Sequence, residues 1–190
     1  MTTEVRPTLT RQEALKIVDE LVKTPNIKKH LLAVEAFMRR LARHFGEDED
    51  EWGLTGLLHD ADYEVTEKDL ERHTEVTAER LRQYAGTDRI VHAILAHNHK
   101  APMDTTMAKA LYACDNLTGL IVACALVHPE KKLEPLTVDF VLRRFKEKSF
   151  ARGANREEIL TCESNLGIPL PEFIGLGLEA MKGIAAELEL

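Results

Sequence analysis

The stretch Gly56-Leu57-Leu58-His59-Asp60-Ala61-Asp62-Tyr63-Glu64 decides how the rest of the chain is read. A glycine and two leucines run straight into a His-Asp doublet. Aspartate is rarely fully buried unless it is paired or holds a metal. Adjacent helical residues point about 100° apart, so His59 and Asp60 share an ion only beside the end of a helix. Further out, His30 lies four residues before Val34 and seven before Phe37, on an inward stripe. Asp115 lies four after Leu111 and seven before Val122, and His97 lies three after Ile94 and seven after Ile90. His73 opens a segment carrying Val76 and Leu81. One histidine on an apolar face is most often a satisfied core residue. Six such side chains on inward faces would cost several kcal/mol each if left unpaired. A metal cluster of His30, His59, Asp60, His73, His97 and Asp115 accounts for them together. Nitrogen and carboxylate donors without thiolate suit one or two divalent ions of Fe, Mn, Co, Ni or Zn, with Mg also admitted. His92 points about 140° from His97 on a continued helix, and His99 falls at an expected helix end before Pro102. His97 is therefore the preferred ligand, with His99 its alternate.

The surrounding chain reads as helix almost throughout. Thr10 and Glu13 form a capping-box signature for a helix over 10–23, and Pro25 and Asn26 break it. Apolar residues spaced by three or four predict a helix over 27–45, closed by Gly46. The acidic run 47–51 opens a third helix toward Leu58. Further helices are expected over 73–84, 87–97, 104–127, 137–148, 156–166 and 172–188. No segment alternates apolar and polar residues between turn signals, so the expected class is all-α. The loop from His128 to Pro135 divides an expected core over 27–127 from a C-terminal helical part over 136–190, both within one domain.

Composition narrows the function classes. The chain has 190 residues, 44% hydrophobic and 30% charged, and 25 basic against 32 acidic residues give a net charge of −7. That balance argues against binding duplex nucleic acid through phosphate attraction. The longest apolar run, Leu120 to Val127, is far below the roughly 20 residues a bilayer needs, so no membrane partner is expected. No basic-then-apolar leader opens the chain. Cys114, Cys124 and Cys162 lack C-x-x-C spacing and read as buried thiols, which fits a cytoplasmic location. Neither a P-loop nor a G-x-S-x-G elbow occurs.

The order His30, His59-Asp60, Asp115 resembles the HD superfamily of metal-dependent phosphohydrolases, whose defining pattern is a His, a His-Asp doublet and a distal Asp. GLLHDADYE, the later ALYACDNLTGLI and the tail RRFKEKSFARG look like a small stand-alone bacterial branch of it. The likeness spans about Ile27 to Leu126 in motif terms. It implies an HD-domain helical bundle with a C-terminal helical extension over 1–190. It also implies hydrolysis of a phosphoester of a small molecule, a nucleotide or sugar phosphate, by metal-activated water. Ala61 and Asp62 stand where the commoner HDIG subset has Ile and Gly, so the resemblance does not by itself imply that subset's cyclic-nucleotide chemistry. Binuclear members insert extra histidines between the doublet and the last Asp. His73 and His97 match in kind, and a single ion on His30, His59, Asp60 and Asp115 is the alternative. Two other readings share the scaffold: a di-iron oxygenase acting on a small polar substrate, and a non-catalytic sensor or scaffold module.

Hydrolysis asks for more than the ions. Asp60 is placed to bridge two of them. Asp62 and Glu64 are candidates for handling the leaving-group proton or for bonding a ligand histidine. A small phosphorylated substrate also needs cations. Between Val141 and Arg156, six basic residues face one acidic residue, Glu147. From this segment Arg143, Lys146, Lys148 and Arg152 are the candidate phosphate contacts, with Lys109 a further one.

Overall fold

A computed structural model describes residues 6–67 and 69–190. Ten helices follow in order: α1 (Arg11–Leu21), α2 (Pro25–Phe45), α3 (Glu49–Leu58), α4 (Glu75–Leu81), α5 (Asp88–His97), α6 (Thr106–Val127), α7 (Val138–Lys146), α8 (Arg156–Leu166), α9 (Leu170–Lys182) and α10 (Ala185–Leu188). Among the described residues the extended backbone pairs only at one isolated bridge, Thr8 to Ala85. The protein is all-α.

Caps set most of the boundaries. The Thr10 side chain accepts from Glu13 N–H at the start of α1, and Asp48 accepts from Glu51 N–H at the start of α3. Pro25 does not merely end α1. It occupies the first turn of α2, where its missing N–H costs nothing. Gly46 closes α2 in the left-handed region at φ 70°. The helix expected over 172–188 is two helices, because the backbone breaks at Gly183 and Ile184.

Helices α2 and α6 form the axis, and α3, α5, α8 and α9 pack around them. One apolar cluster joins α2 and α6 to the C-terminal helices through Phe37, Leu117, Ile121, Ile159 and Phe173. A second lies under α1, α3 and α5, through Ile17, Leu31, Leu57 and Ile94. Leu58 and Ala61, which flank the doublet, belong to the second cluster, whereas Cys114, beside Asp115, belongs to the first. The ionisable residues therefore occupy the seam between two apolar bodies. Helix α6 is long and apolar enough to span a membrane, which the short run Leu120–Val127 did not convey. Here it is a core helix with its neighbours packed on several sides. All three cysteines are free and buried.

Gly56 sets the distance between α3 and α2. A Cβ built there would meet the Val34 carbonyl oxygen at 2.7 Å and the Glu35 nitrogen at 2.9 Å. Only a hydrogen side chain lets the two backbones cross this closely, one turn before His59.

Candidate metal centre

Helix α3 ends at Leu58, so His59 and Asp60 sit at a helix end, free to face a common point. His30 comes from α2, His97 from the last turn of α5, Asp115 from the middle of α6, and His73 from the turns before α4. The structure brings all six together. His30 Nε2 lies 3.0 Å from Asp115 Oδ1, and His59 Nε2 lies 3.5 Å from the same oxygen. His59 Nε2 is 3.8 Å from Asp60 Oδ2. His73 Nε2 and His97 Nε2 each lie 3.2 Å from Asp60 Oδ1. Asp60 thus turns one oxygen toward the His59 side and the other toward His73 and His97.

The outer ring nitrogens are engaged elsewhere. His59 Nδ1–H donates to the Gly56 carbonyl at 2.8 Å, and His97 Nδ1–H donates to the Ile94 carbonyl at 2.9 Å. His73 Nδ1–H donates to Asp62 Oδ1 at 2.8 Å. Because carbonyls only accept, the proton of the neutral rings of His59 and His97 sits on Nδ1 and the Nε2 lone pair faces inward. Those lone pairs point at carboxylate lone pairs, acceptor against acceptor. His59 Nε2 and Asp60 Oδ1 are buried with no hydrogen-bond partner. Such a constellation suits a cation at its middle, and a divalent metal fits the donor set. Two overlapping groups, His30-His59-Asp115 and His59-Asp60-His97, have ligand atoms close enough to surround an ion.

Electrostatics tell the same story from the proton side. Burial alone would raise Asp115, but His30 and His59 hold its carboxyl far below the usual range. Burial likewise opposes ionisation of Asp60, and the facing His59, His73 and His97 overcome it. Burial would lower His73, yet bonds to Asp60 and Asp62 push it up to about 9. His59 and His97 are also raised against their burial, by Asp60 and Asp115. Without a metal, protons are drawn into the place a cation wants.

Asp62 is fully buried and does not reach the middle of the centre. It accepts from His73 and from the Thr74 and Thr77 backbone N–H groups, at 3.0 and 2.9 Å. Its place is behind His73, holding the ring. Thr74 adopts φ 72°, a strained left-handed conformation for a β-branched residue, so that its N–H reaches Asp62. Asn98 and Lys100 donate to the His73 carbonyl and pin the same segment to the end of α5. Sequence reasoning missed both, since nothing in their spacing marks them.

Glu64 does not join the centre. It is half-buried, and its carboxylate accepts the Lys23 and Thr24 N–H groups before α2, each at 3.0 Å. Among the other histidines, His92 pairs with Asp104 and His99 packs on Tyr112, and neither lies among the six.

The centre is most exposed at His30 and Asp115, which line an open groove of about 410 Å3. Its far wall is the loop 151–154, held shut by Arg156, which donates to the Phe150, Ala151 and Ala154 carbonyls. Asn116 ties α6 to this wall by accepting from Asn155 N–H and donating to Glu158. Ala154 is shared with a second groove that carries Lys148 and Arg152. Arg143 and Lys146 line neither groove, and Arg143 lies against Phe140 instead. Lys109 is outside both as well.

The HD domain family matches residues 27–120, the interval that holds all six converging side chains. This chain belongs to the HD superfamily of metal-dependent phosphohydrolases. Relatives by sequence include Ribonuclease Y of Geobacter metallireducens, 31% identical over 111 residues, 56% of this chain and 21% of that protein. Ribonuclease Y of Lawsonia intracellularis is 32% identical over 140 residues, 70% of this chain and 26% of that protein. Ribonuclease Y of Thermoanaerobacter pseudethanolicus is 29% identical over 137 residues, 70% of this chain and 27% of that protein. The chain spans about a fifth to a quarter of the length of these relatives. No solved structure matches it. The relatives overturn the expectation of a small phosphorylated substrate and no duplex nucleic acid, because the proteins the HD-domain chain resembles are named as ribonucleases. The physical error lay in the net charge. A total of −7 averages the whole surface, while Lys148 and Arg152 sit together in the second groove, which meets the groove over the centre at Ala154.

Proposed function

We propose that this HD-domain chain is a metal-dependent phosphodiesterase that cleaves RNA at the groove beside His30 and Asp115. The observation that carries the reading is the inward convergence of four histidine Nε2 atoms on Asp60 and Asp115, with His59 Nε2 and Asp60 Oδ1 buried and unpartnered. The names of the relatives supply the substrate class.

His30, His59, Asp60 and Asp115 would hold one ion, and Asp60 Oδ1 with His73 and His97 a second. A bound ion supplies water acidic enough to ionise near neutral pH and offsets charge on the phosphoryl oxygens. The protein's own groups do the rest. The carbonyls of Gly56 and Ile94 and the Asp62 carboxylate fix the three rings, so little reorganisation is needed when substrate arrives. Lys148 and Arg152 contact phosphates of the strand that runs from the second groove into the first. In the reaction the water oxygen forms a bond to phosphorus, the bond from phosphorus to the leaving ribose oxygen breaks, and that oxygen takes up a proton.

The test is cleavage of labelled single-stranded RNA by protein of measured metal content, across Mn, Fe, Co, Ni, Zn and Mg. The reading expects fragments with the parent protein and at least about a thousandfold less with Asp60→Asn, since a water activated by metal is the main source of rate. Absence of RNA cleavage by metal-loaded protein, or equal cleavage by Asp60→Asn, defeats it.

A further inference from the structure

A second cavity opens beside the centre, and the proposed cleavage of RNA does not by itself use it. It measures about 270 Å3 and lies between α2, α6 and α10. It shares two residues with the groove over the centre, His30 and Gly119. Its walls are aliphatic: Val122 and Leu126 from α6 on one side, Leu188 and Leu190 on the other. Four polar residues join them in the lining: Asn26, Lys29, His30 and Thr118. Lys29 pairs with Glu189, and this ion pair holds the wall after α10 against α2.

Gly119 joins the two spaces. It lies four residues after Asp115 on α6 and so on nearly the same face. Neither backbone geometry nor packing demands glycine here. Its φ is not in the left-handed region, and a Cβ built on it meets nothing within 4 Å. Glycine inside a helix is unfavourable relative to alanine. A residue that weakens its helix and leaves open space at a junction between a candidate centre and an apolar slot has its explanation in what passes through.

We propose that this slot is the subsite for one nucleobase next to the scissile phosphate, and that Gly119 keeps it continuous with the groove over His30 and Asp115. The inference rests on the reading of the chain as an RNA phosphodiesterase. A base has two apolar faces and a polar edge, which matches aliphatic walls with the Asn26 amide and the Thr118 hydroxyl among the lining groups. The volume lies just under the range of drug-sized pockets, enough for one planar ring system and too little for stacked bases. Gly119 is thus a specificity-determining position rather than a catalytic one.

The test compares binding of AMP and UMP with that of ribose 5-phosphate, which carries the phosphate and sugar without a base. Calorimetry on metal-loaded parent protein, Gly119→Ala and Gly119→Leu supplies the affinities, with metal content measured in each. The parent should bind at least one of the two nucleotides about tenfold or more tighter than ribose 5-phosphate. Gly119→Leu should lose that preference while keeping its metal and its affinity for ribose 5-phosphate. Gly119→Ala, whose added methyl meets open space, should fold at least as stably as the parent and show a reduced preference. No preference in the parent, or an unchanged preference in Gly119→Leu, overturns the subsite. Failure of the RNA reading shows separately, as absence of RNA cleavage by the parent. Base-dependent binding that Gly119→Leu removes supports the slot even then.

Discussion

Replacing Gly56 with alanine tests whether the close crossing of α2 and α3 is what seats His59. The added Cβ would lie 2.7 Å from the Val34 carbonyl oxygen and 2.9 Å from Val34 C and Glu35 N. All three atoms are backbone, so no rotamer change relieves them. Ordinary contact begins at 3.4 Å, and the helices must part by about 0.7 Å. Overpacking of this kind costs about 1–3 kcal/mol. Helix propensity returns about 1 kcal/mol, since glycine is the poorer helix former. The net loss is about 0–2 kcal/mol, toward the upper end because all three neighbours are backbone, which for a chain of this size lowers Tm by up to about 8 °C. Gly119→Ala has the propensity gain without the clash and should raise Tm by about 2–4 °C. The two glycine-to-alanine changes are therefore expected to move Tm in opposite directions. The same 0.7 Å separates His59 from His30, because Gly56 is one turn before His59 and its carbonyl holds that ring. Sites of this kind tolerate only about 0.5 Å of displacement, so metal affinity should fall about 10- to 100-fold. Differential scanning calorimetry of metal-free protein and a metal titration of each variant measure both effects. A Gly56→Ala protein that melts at or above the parent and binds metal equally well would refute the reasoning.

Asp62→Asn should retain the fold but lower metal affinity about 10- to 100-fold, because His73 loses the carboxylate that orients it; unchanged affinity in a competition titration would remove Asp62 from its supporting place. The pH dependence of the metal-free protein has a definite sign. His73 is raised from 6.5 to about 9, so the stability it contributes is fully present below pH 6.5 and lost as pH rises through about 9. Asp60, Asp62 and Asp115 are lowered, so their contribution is present above the ordinary carboxylate value of 3.8 and lost on further acidification. Melting temperatures of chelated protein should accordingly peak between about pH 4 and 6.5, and a maximum above pH 9 would contradict this. Metal at a hundred times its Kd adds about 2.7 kcal/mol, so chelation should lower Tm by about 5–11 °C; no shift on chelation would mean that no ion is held. Lys148→Ala and Arg152→Ala should each weaken RNA binding and flatten its salt dependence, while Arg143→Ala leaves both unchanged, in fluorescence anisotropy over a salt series; equal behaviour of all three would show that the second groove carries no RNA.

The amino-acid sequence by itself determined the helical class and the six side chains that meet. Helix identity is local: periodic apolar residues, Thr10 and Asp48 as caps and Gly46 as a stop act within a few residues of where they stand. His30, His59, Asp60 and Asp115 were legible because buried ionisable residues are costly unless they have a shared purpose. Tertiary structure decided what lies around them. Asp62 and Glu64 are two residues apart in the same polar turn, yet one is enclosed behind His73 and the other clasps the chain before α2 at the surface. Of four similar cations in one basic segment, Lys148 and Arg152 reach a groove and Arg143 and Lys146 do not. Asn98, Lys100, Asn116 and Gly119 carry no spacing signal at all, since their partners are 25 to 42 residues away or are empty space. Packing two apolar bodies along α2 and α6 settles which polar residues fall in the seam between them. That is a property of surfaces assembled from distant segments, and local periodicity does not contain it.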